Sequence, residues 1–316
     1  DTIQEIERIR NEGAQTRDQV AIEAAYRALL KKEPQLGEAQ MGLARALTGQ
    51  DKNDQAEAVY RKALEASPGS AILMSNLANA VAAQGRKEEG LEIINALLEQ
   101  VPGDLIGQSA ALKMMSDLNL EEEALIRAST WLENTPDEPM LMAHLGILTA
   151  RTGKQKEAVA LLLASLEDDV PRQLVHRVLG AILLDQGDKI GAAKHLFQES
   201  TLFPIDPSLL TQTAALTFEL QQWSETDTIY QTLNKMTSLS PRQRLHWAQA
   251  TFNLADYPLA QERLQPALDS SPNNPDIVLL YANILEKVGK REEGIELFKR
   301  AKLLNQKRLK HSQRPH

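Results

Sequence analysis

The sequence predicts an all-α protein built as a linear array of helix pairs. Three observations predict it. A period of 34 residues runs nine times without an insertion. Columns of small residues stay in register with that period. Apolar residues recur at three- and four-residue spacing on both sides of a mid-unit break, which is helical periodicity. Units begin at Ile3, Gly37, Ala71, Leu105, Pro139, Gln173, Pro207, Pro241 and Pro275, and the ninth ends at Arg308.

The columns justify each element. The eighth position reads Arg10, Ala44, Ala78, Leu112, Gly146, Gly180, Ala214, Ala248 and Ala282. The twentieth reads Ile22, Ala56, Gly90, Ala124, Ala158, Ala192, Thr226, Ala260 and Gly294. Four residues later stand Tyr26, Tyr60, Ile94, Leu162, Leu196, Tyr230, Leu264 and Phe298, with Ala128 the exception. Where two helices cross closely, only a small side chain fits at the contact and a large one fills the hole beside it. The first helix of each pair ends at Gly85, Gly153, Gly187, Gly289, Asn119 or Asp51, residue types that enrich the left-handed backbone at helix ends. Asp206-Pro207, Ser240-Pro241 and Asn274-Pro275 place a capping side chain before a proline in the first helical position. Glu121, Glu122 and Glu123 open a second helix at the positive end of its dipole. Prolines close units at Pro34, Pro68, Pro102, Pro136, Pro204 and Pro272.

This 34-residue helix-turn-helix resembles the tetratricopeptide repeat over essentially the whole chain. The best matches are Leu43-Ala44 with Ala56, Tyr60, Ala63 and Pro68; Leu145-Gly146 with Gly153 and Ala158; Leu179-Gly180 with Gly187, Ala192 and Pro204; and Tyr281-Ala282 with Gly289 and Phe298. The resemblance implies a right-handed superhelical solenoid whose first helices line a concave groove. Two units depart from the pattern. The first carries Arg10 and Arg17 where other units are small or turn-forming. The fourth inverts its sizes, with Leu112 against Ala128 and Trp131, which puts the local helix crossing in question. One array over 1–308 is expected, its repeats running from 3 to 308, followed by a basic, disordered tail over 309–316.

Composition bounds the function. Hydrophobic content of 42% is ample for a continuous spine. No apolar run approaches the ~18 residues that span a bilayer. Cysteine is absent, which removes disulfides, thiol nucleophiles and thiolate metal sites. The net charge is −8, and the tail's Lys307, Arg308, Lys310 and Arg314 leave the body at −12. An acidic body argues against general nucleic-acid binding. No phosphate loop, dinucleotide fingerprint, zinc-protease helix or nucleophile elbow is present. The histidines are scattered, none at an i, i+4 metal spacing, and His176 occupies a column held elsewhere by Met and Leu, as a packed histidine would. The expectation is a protein that is not an enzyme and needs no cofactor.

The candidate site is the wall of the groove. Positions two, five, six, nine, twelve and thirteen share one face of the first helix. Position two is large and apolar in four consecutive units, at Ile72, Ile106, Met140 and Leu174, and polar or charged elsewhere. Beside it the floor is small, with Ser75, Ser109 and Ala143, and donors stand around it at Arg45, Asn76, Asn79, Lys113, His144, Arg151 and Arg177. Such a strip suits an extended or helical peptide, whose backbone the amides bond and whose carboxylates the cations pair. The competing reading makes the same stripe part of the packed spine. The carboxylate clamp that some tetratricopeptide co-chaperones use is absent: Met41, Gly42, Ile106 and Ala110 fill the neighbouring columns.

The function expected is therefore a protein-interaction scaffold with a protein or peptide partner. By resemblance it would serve a bacterial envelope assembly such as a pilus, a secretion apparatus or a polysaccharide exporter. The alternative is an accessory region of a larger enzyme, a glycosyltransferase or sulfotransferase, whose catalytic domain lies elsewhere. A soluble location in a bacterial cytoplasm or periplasm is expected, the start at Asp1 favouring an excised periplasmic region. Ile295, Phe298, Leu303 and Leu304 in the last unit offer a surface for self-association.

Overall fold

The computed structural model describes residues 2–16 and 18–312, with side chains described over 2–13 and 18–309. Residues 1–168 form one compact unit and residues 169–316 another. The first holds α1 (Thr2–Thr16), α2 (Gln19–Lys32), α3 (Gly37–Thr48), α4 (Asn53–Ala66), α5 (Ala71–Ala83), α6 (Lys87–Gln100), α7 (Leu105–Asp117), α8 (Glu121–Asn134), α9 (Pro139–Arg151) and α10 (Gln155–Ala164). The second holds α11 (Val175–Asp185), α12 (Lys189–Leu202), α13 (Pro207–Glu219), α14 (Trp223–Met236), α15 (Pro241–Asn253), α16 (Tyr257–Ser270), α17 (Pro275–Lys287) and α18 (Arg291–Ser312). The described residues thus form an all-α array of helix pairs and contain no strand. Odd-numbered helices are the first of each pair, even-numbered helices the second. First helices also touch one another directly, α5 against α7, α7 against α9, and α15 against α17.

The turn inside each pair follows one rule. Residues with positive φ stand at Asp51, Gly85, Asn119, Gly153, Gly187, Gln221, Ala255 and Gly289, always 34 apart. Each lets the chain double back at the end of a first helix. The next backbone N–H then returns to a carbonyl five residues behind, as in Lys52 to Leu47 at 3.0 Å, Leu120 to Met115 at 2.8 Å and Lys290 to Leu285 at 2.8 Å, the hydrogen bond of a Schellman ending. Arg17, at the same column of the first unit, lies outside the described residues. Helix starts follow the expected caps. Asp206 accepts from the Ser208 N–H at 2.8 Å. Ser240 and Gln243 form a reciprocal capping box, and Asn274 accepts from Asp276 and Ile277.

The small columns pack as their sizes require. A Cβ at Gly180 would lie 2.6 Å from Leu196 Cγ, and one at Gly146 would lie 2.8 Å from Leu162 Cγ. Position eight thus receives the large residue of position twenty-four. A Cβ at Gly90 would meet the Ala78 carbonyl at 2.9 Å, so position twenty rests on the backbone of position eight. The fourth unit swaps the roles: Leu112 and Ala128 are both buried beside Trp131. The swap conserves volume and keeps α7 on α8, yet this pair and α1 with α2 meet over less of their length than the others. These are the two pairs without Ala or Gly at position eight.

Polar ties join neighbouring pairs. Glu23 accepts from Gln50 and Lys52, each at 2.8 Å. One period later Glu57 accepts from Gln84 at 2.7 Å and Arg86 at 2.8 Å. In the second unit Arg263, buried, pairs with Asp227 and Thr251 and lies over the Trp247 ring at 4.2 Å. The Trp247 indole N–H also reaches Asp227, at 3.1 Å.

Two departures from the expected layout stand out. α10 has ten residues where most other second helices have fourteen, and α11 begins at Val175 rather than Gln173. Leu174 caps α11 in a left-handed conformation, φ 73°. Its N–H is taken by the buried Glu199 carboxylate at 2.7 Å, a cap supplied from the following helix. α18 runs to Ser312, past the end of the ninth repeat at Arg308. Residues 313–316 lie outside the described residues.

Among the eight turn positions, Gln221 and Ala255 hold φ of 57° and 64° without being Gly, Asn or Asp. A left-handed Cβ costs ~1–2 kcal/mol, partly offset by the extra unfolded-state freedom of glycine. Ala255→Gly is predicted to stabilise the chain by about 0.5–1 kcal/mol, read as a rise in the urea midpoint of tryptophan fluorescence. Arg263→Ala is predicted to destabilise it by about 3 kcal/mol in the same assay, because Asp227 is left without its buried partner.

Candidate functional site

The structure separates the ten sequence-predicted residues into two groups. Arg45, Ile72, Asn76, Asn79, Ile106, Lys113, Met140 and His144 belong to residues 1–168, while Leu174 and Arg177 belong to residues 169–316. Within the first group, Ile72, Ile106 and Met140 occupy the first turns of α5, α7 and α9. Ile72 is 42% exposed and Ile106 49%, so neither is part of the packed spine. Met140 is half-buried. The spine runs one position later, through buried Leu73, Gly107 and Leu141.

The floor holds a polar pair. Ser109 Oγ on α7 lies 2.6 Å from His144 Nε2 on α9. Burial, and then the charge of Lys113, push the His144 pKa down to about 4. The imidazole is therefore neutral near neutrality and serves as a hydrogen-bond partner rather than a cation. Arg45, Asn79 and Lys113 are exposed and Asn76 is half-buried. None has a side-chain hydrogen bond or ion pair among the described residues, which leaves their donors available.

Leu174 does not share this arrangement. It precedes α11 instead of lying on its face, because Glu199 captures its N–H and turns the backbone left-handed. Arg177 is paired with Asp206 at 3.0 Å. Both residues line a cavity of about 300 Å³ with Glu199, Phe203, Ile205 and Leu209. Of the four residues expected in the stripe, Ile72, Ile106 and Met140 belong to residues 1–168, and Leu174 lines a cavity within residues 169–316.

A second pocket was not singled out by sequence reasoning. It measures about 290 Å³ and is lined by Phe218 on α13, Leu245, His246 and Gln249 on α15, and Asp276, Leu279, Leu280 and Asn283 on α17. The Phe218 and His246 rings stack at 4.1 Å and 9°. Every one of these residues occupies position two, five, six, nine or twelve of its unit. The signal was present in the same columns, at positions five and six rather than two.

His176 and His195 face each other across α11 and α12, Nδ1 to Nδ1 at 2.9 Å with stacked rings. Burial and the neighbouring His195 and Lys194 push the His176 pKa down to about 4. Among the described residues no group of three or more His, Asp or Glu is arranged to hold a metal ion.

These histidines couple folding to pH. Each has a folded pKa below its ordinary 6.5. Between pH 6.5 and 4 the unfolded chain therefore binds protons that the folded chain refuses, and stability falls as pH falls through that window. His144→Gln is predicted to recover roughly 1–2 kcal/mol of that loss at pH 5, relative to its own value at pH 7. Urea midpoints of both proteins at the two pH values check this, and an imidazole NMR titration places the His144 midpoint directly.

A tetratricopeptide repeat model matches residues 47–114 and 254–313, and a second matches 19–71. No curated protein matches the chain in sequence. Among solved structures, the human IFIT1 dimer with m7Gppp-AAAA is similar, at 15% identity and a TM-score of 0.52, over 91% of this chain and 68% of that one. A thermophilic TPR protein of Thermus thermophilus is 20% identical over 57% of this chain and 98% of its own, with a TM-score of 0.48. A tetratricopeptide repeat protein of Parabacteroides merdae is 15% identical over 79% of this chain and 98% of its own, with a TM-score of 0.43. By its matched models, and by helix pairs that turn at a left-handed residue every 34 positions, the chain is a tetratricopeptide repeat protein.

Proposed function

We propose that this chain is a non-catalytic scaffold that holds an extended segment of a protein partner against the first helices of its repeats. One observation carries the reading. Two exposed isoleucines, Ile72 and Ile106, sit on adjacent first helices that also carry Asn76, Asn79 and Lys113, with Arg45 at the matching column of α3; none of these four donors has a side-chain hydrogen bond or ion pair among the described residues. Exposed aliphatic surface with unspent donors is what a peptide's side chains and backbone require. The Ser109–His144 pair supports no hydrolytic role, because no carboxylate bonds the other imidazole nitrogen among the described residues.

A protein partner is preferred to nucleic acid on charge. Residues 1–168 carry 17 Lys and Arg against 27 Asp and Glu, a net −10, while 169–316 carry 18 against 16, a net +2. The wall that bears the isoleucines thus belongs to an acidic body, which repels phosphate backbones. No helix among the described residues is long and apolar enough to cross a membrane. Service in an envelope assembly is the narrower form of this proposal and draws on family resemblance.

Peptides selected from a displayed random library on the immobilised chain provide the test. The strongest binder is expected to lose at least tenfold in affinity with Ile106→Asp, an exposed substitution that leaves the helix intact, and severalfold with Lys113→Ser. Failure to select any peptide, together with measurable binding of an oligoadenylate RNA, would overturn the proposal.

A further inference from the structure

We propose that the pocket between α13, α15 and α17 receives one large apolar side chain of an extended partner peptide that carries an acidic residue next to it. This rests on the scaffold reading and assigns it a second contact point, on residues 169–316.

Size comes first. A cavity of about 290 Å³ lies at the lower limit of small-molecule pockets, which run ~300–1,000 Å³. It holds a side chain more readily than a metabolite. The lining sets what enters. Leu280 is the buried base, while Leu279 remains 38% exposed. Beside them the Phe218 ring lies flat on His246 and meets the Trp223 ring in a T-shaped contact at 5.6 Å. An aliphatic or aromatic anchor placed here covers both the leucine and the ring stack.

The rim selects the backbone. Gln249 and Asn283 occupy position nine on adjacent first helices, and both are half-buried. Neither amide has a hydrogen-bond partner among the described residues. Each presents one acceptor and two donors, the complement of a peptide unit's N–H and C=O. A half-buried amide left unpaired beneath a bound ligand is penalised, so a ligand without main-chain polar groups is disfavoured.

Charge selects the neighbour of the anchor. Asp276 is already paired with Arg308 at 2.9 Å, and Glu219, after Phe218 on α13, with Lys189 at 2.5 Å. Arg242, one turn before His246, is exposed and has no ion-pair partner among the described residues. It stands near enough to help hold the His246 pKa below its ordinary value, after burial. At the opposite end Glu286 follows Asn283 by one turn, with Lys287 beside it. The unpaired charge at the Arg242 end is positive, so the residue that flanks the anchor there is acidic.

The experiment uses the full chain with labelled leucine methyls and three blocked peptides: acetyl-Ser-Asp-Leu-Ser-amide, its Asp-to-Lys counterpart, and its Leu-to-Ser counterpart. At millimolar concentration the first is expected to shift the Leu245, Leu279 and Leu280 methyls in a saturable way. The lysine peptide is expected to bind several-fold more weakly, and the all-polar peptide to leave the methyls unmoved. Arg242→Ser should erase the difference between Asp and Lys peptides, and Asn283→Ala should weaken both about fivefold. Equal shifts from the all-polar peptide, indifference to Arg242→Ser, no shifts at all, or shifts produced by oligoadenylate instead would each overturn the assignment. If library peptides still bind through Ile106 while this pocket stays silent, the pocket assignment fails alone. If neither binds, the scaffold reading fails with it.

Discussion

The close crossing of the two helices in each pair is the constraint on which the rest depends. At Gly146 and Gly180 there is no room for even a Cβ beside the leucine of the second helix. Elsewhere the same position is alanine in five of seven units. Once the helices are that close, the large residue of position twenty-four fills the hole, and the first helix is fixed about its own axis. Its other face is then determined too. Positions two and nine are left largely outside the buried core, while positions five and six contribute to it in some units, as Ser75, Ala143 and Leu280 do. The fourth unit shows the rule by exchange: Leu112 takes the space that Ala128 gives up, at the expense of a shorter contact between α7 and α8.

The second constraint is the turn. A left-handed residue every 34 positions returns the chain onto the first helix. Gly, Asn and Asp announce six of the eight positions from composition alone. Gln221 and Ala255 do not, because there the packing of the flanking helices imposes a conformation that the residue itself disfavours. Period and columns therefore locate the turn where residue type fails. The repeat was legible because the chain solves one steric problem many times, and each copy constrains the reading of the others.

The site was legible in part, and the reason is physical. The wall columns follow from helical geometry, and the exposed Ile72 and Ile106 lie where that geometry puts them. Leu174 does not, because a residue 25 positions later, Glu199, supplies its cap and shifts the start of α11 by two residues. Such a tertiary cap leaves no trace in the local sequence. Asn76, Asn79 and Lys113 remain unspent, but Arg177 is consumed by Asp206. The pocket around Phe218 has no counterpart in the pattern of position two. Its apolar residues sit at five, six and twelve, where a leucine or phenylalanine looks like ordinary packing until the stacked ring beside it is seen.

Position nine links these observations. It reads Arg45, Asn79 and Lys113 in units two to four, then Ile147, Ala181 and Ala215, then Gln249 and Asn283. The helix crossing does not account for the change, since position nine contributes no residue to the buried core in any of these units. A change from donors to apolar or small residues and back to amides has no packing cause. It has a recognition cause if each compact unit meets its own stretch of main chain, with aliphatic anchors beside the donors in both: Ile72 and Ile106 in one, the Leu279 pocket in the other. On that argument the two patches differ in what they select, cations and amides for a carboxylate-rich stretch near Lys113, and paired amides with a single cation near Gln249. A partner that satisfied only one patch would bind with that patch's affinity alone, while one carrying both segments on a linker of sufficient reach would gain the effective concentration of the second.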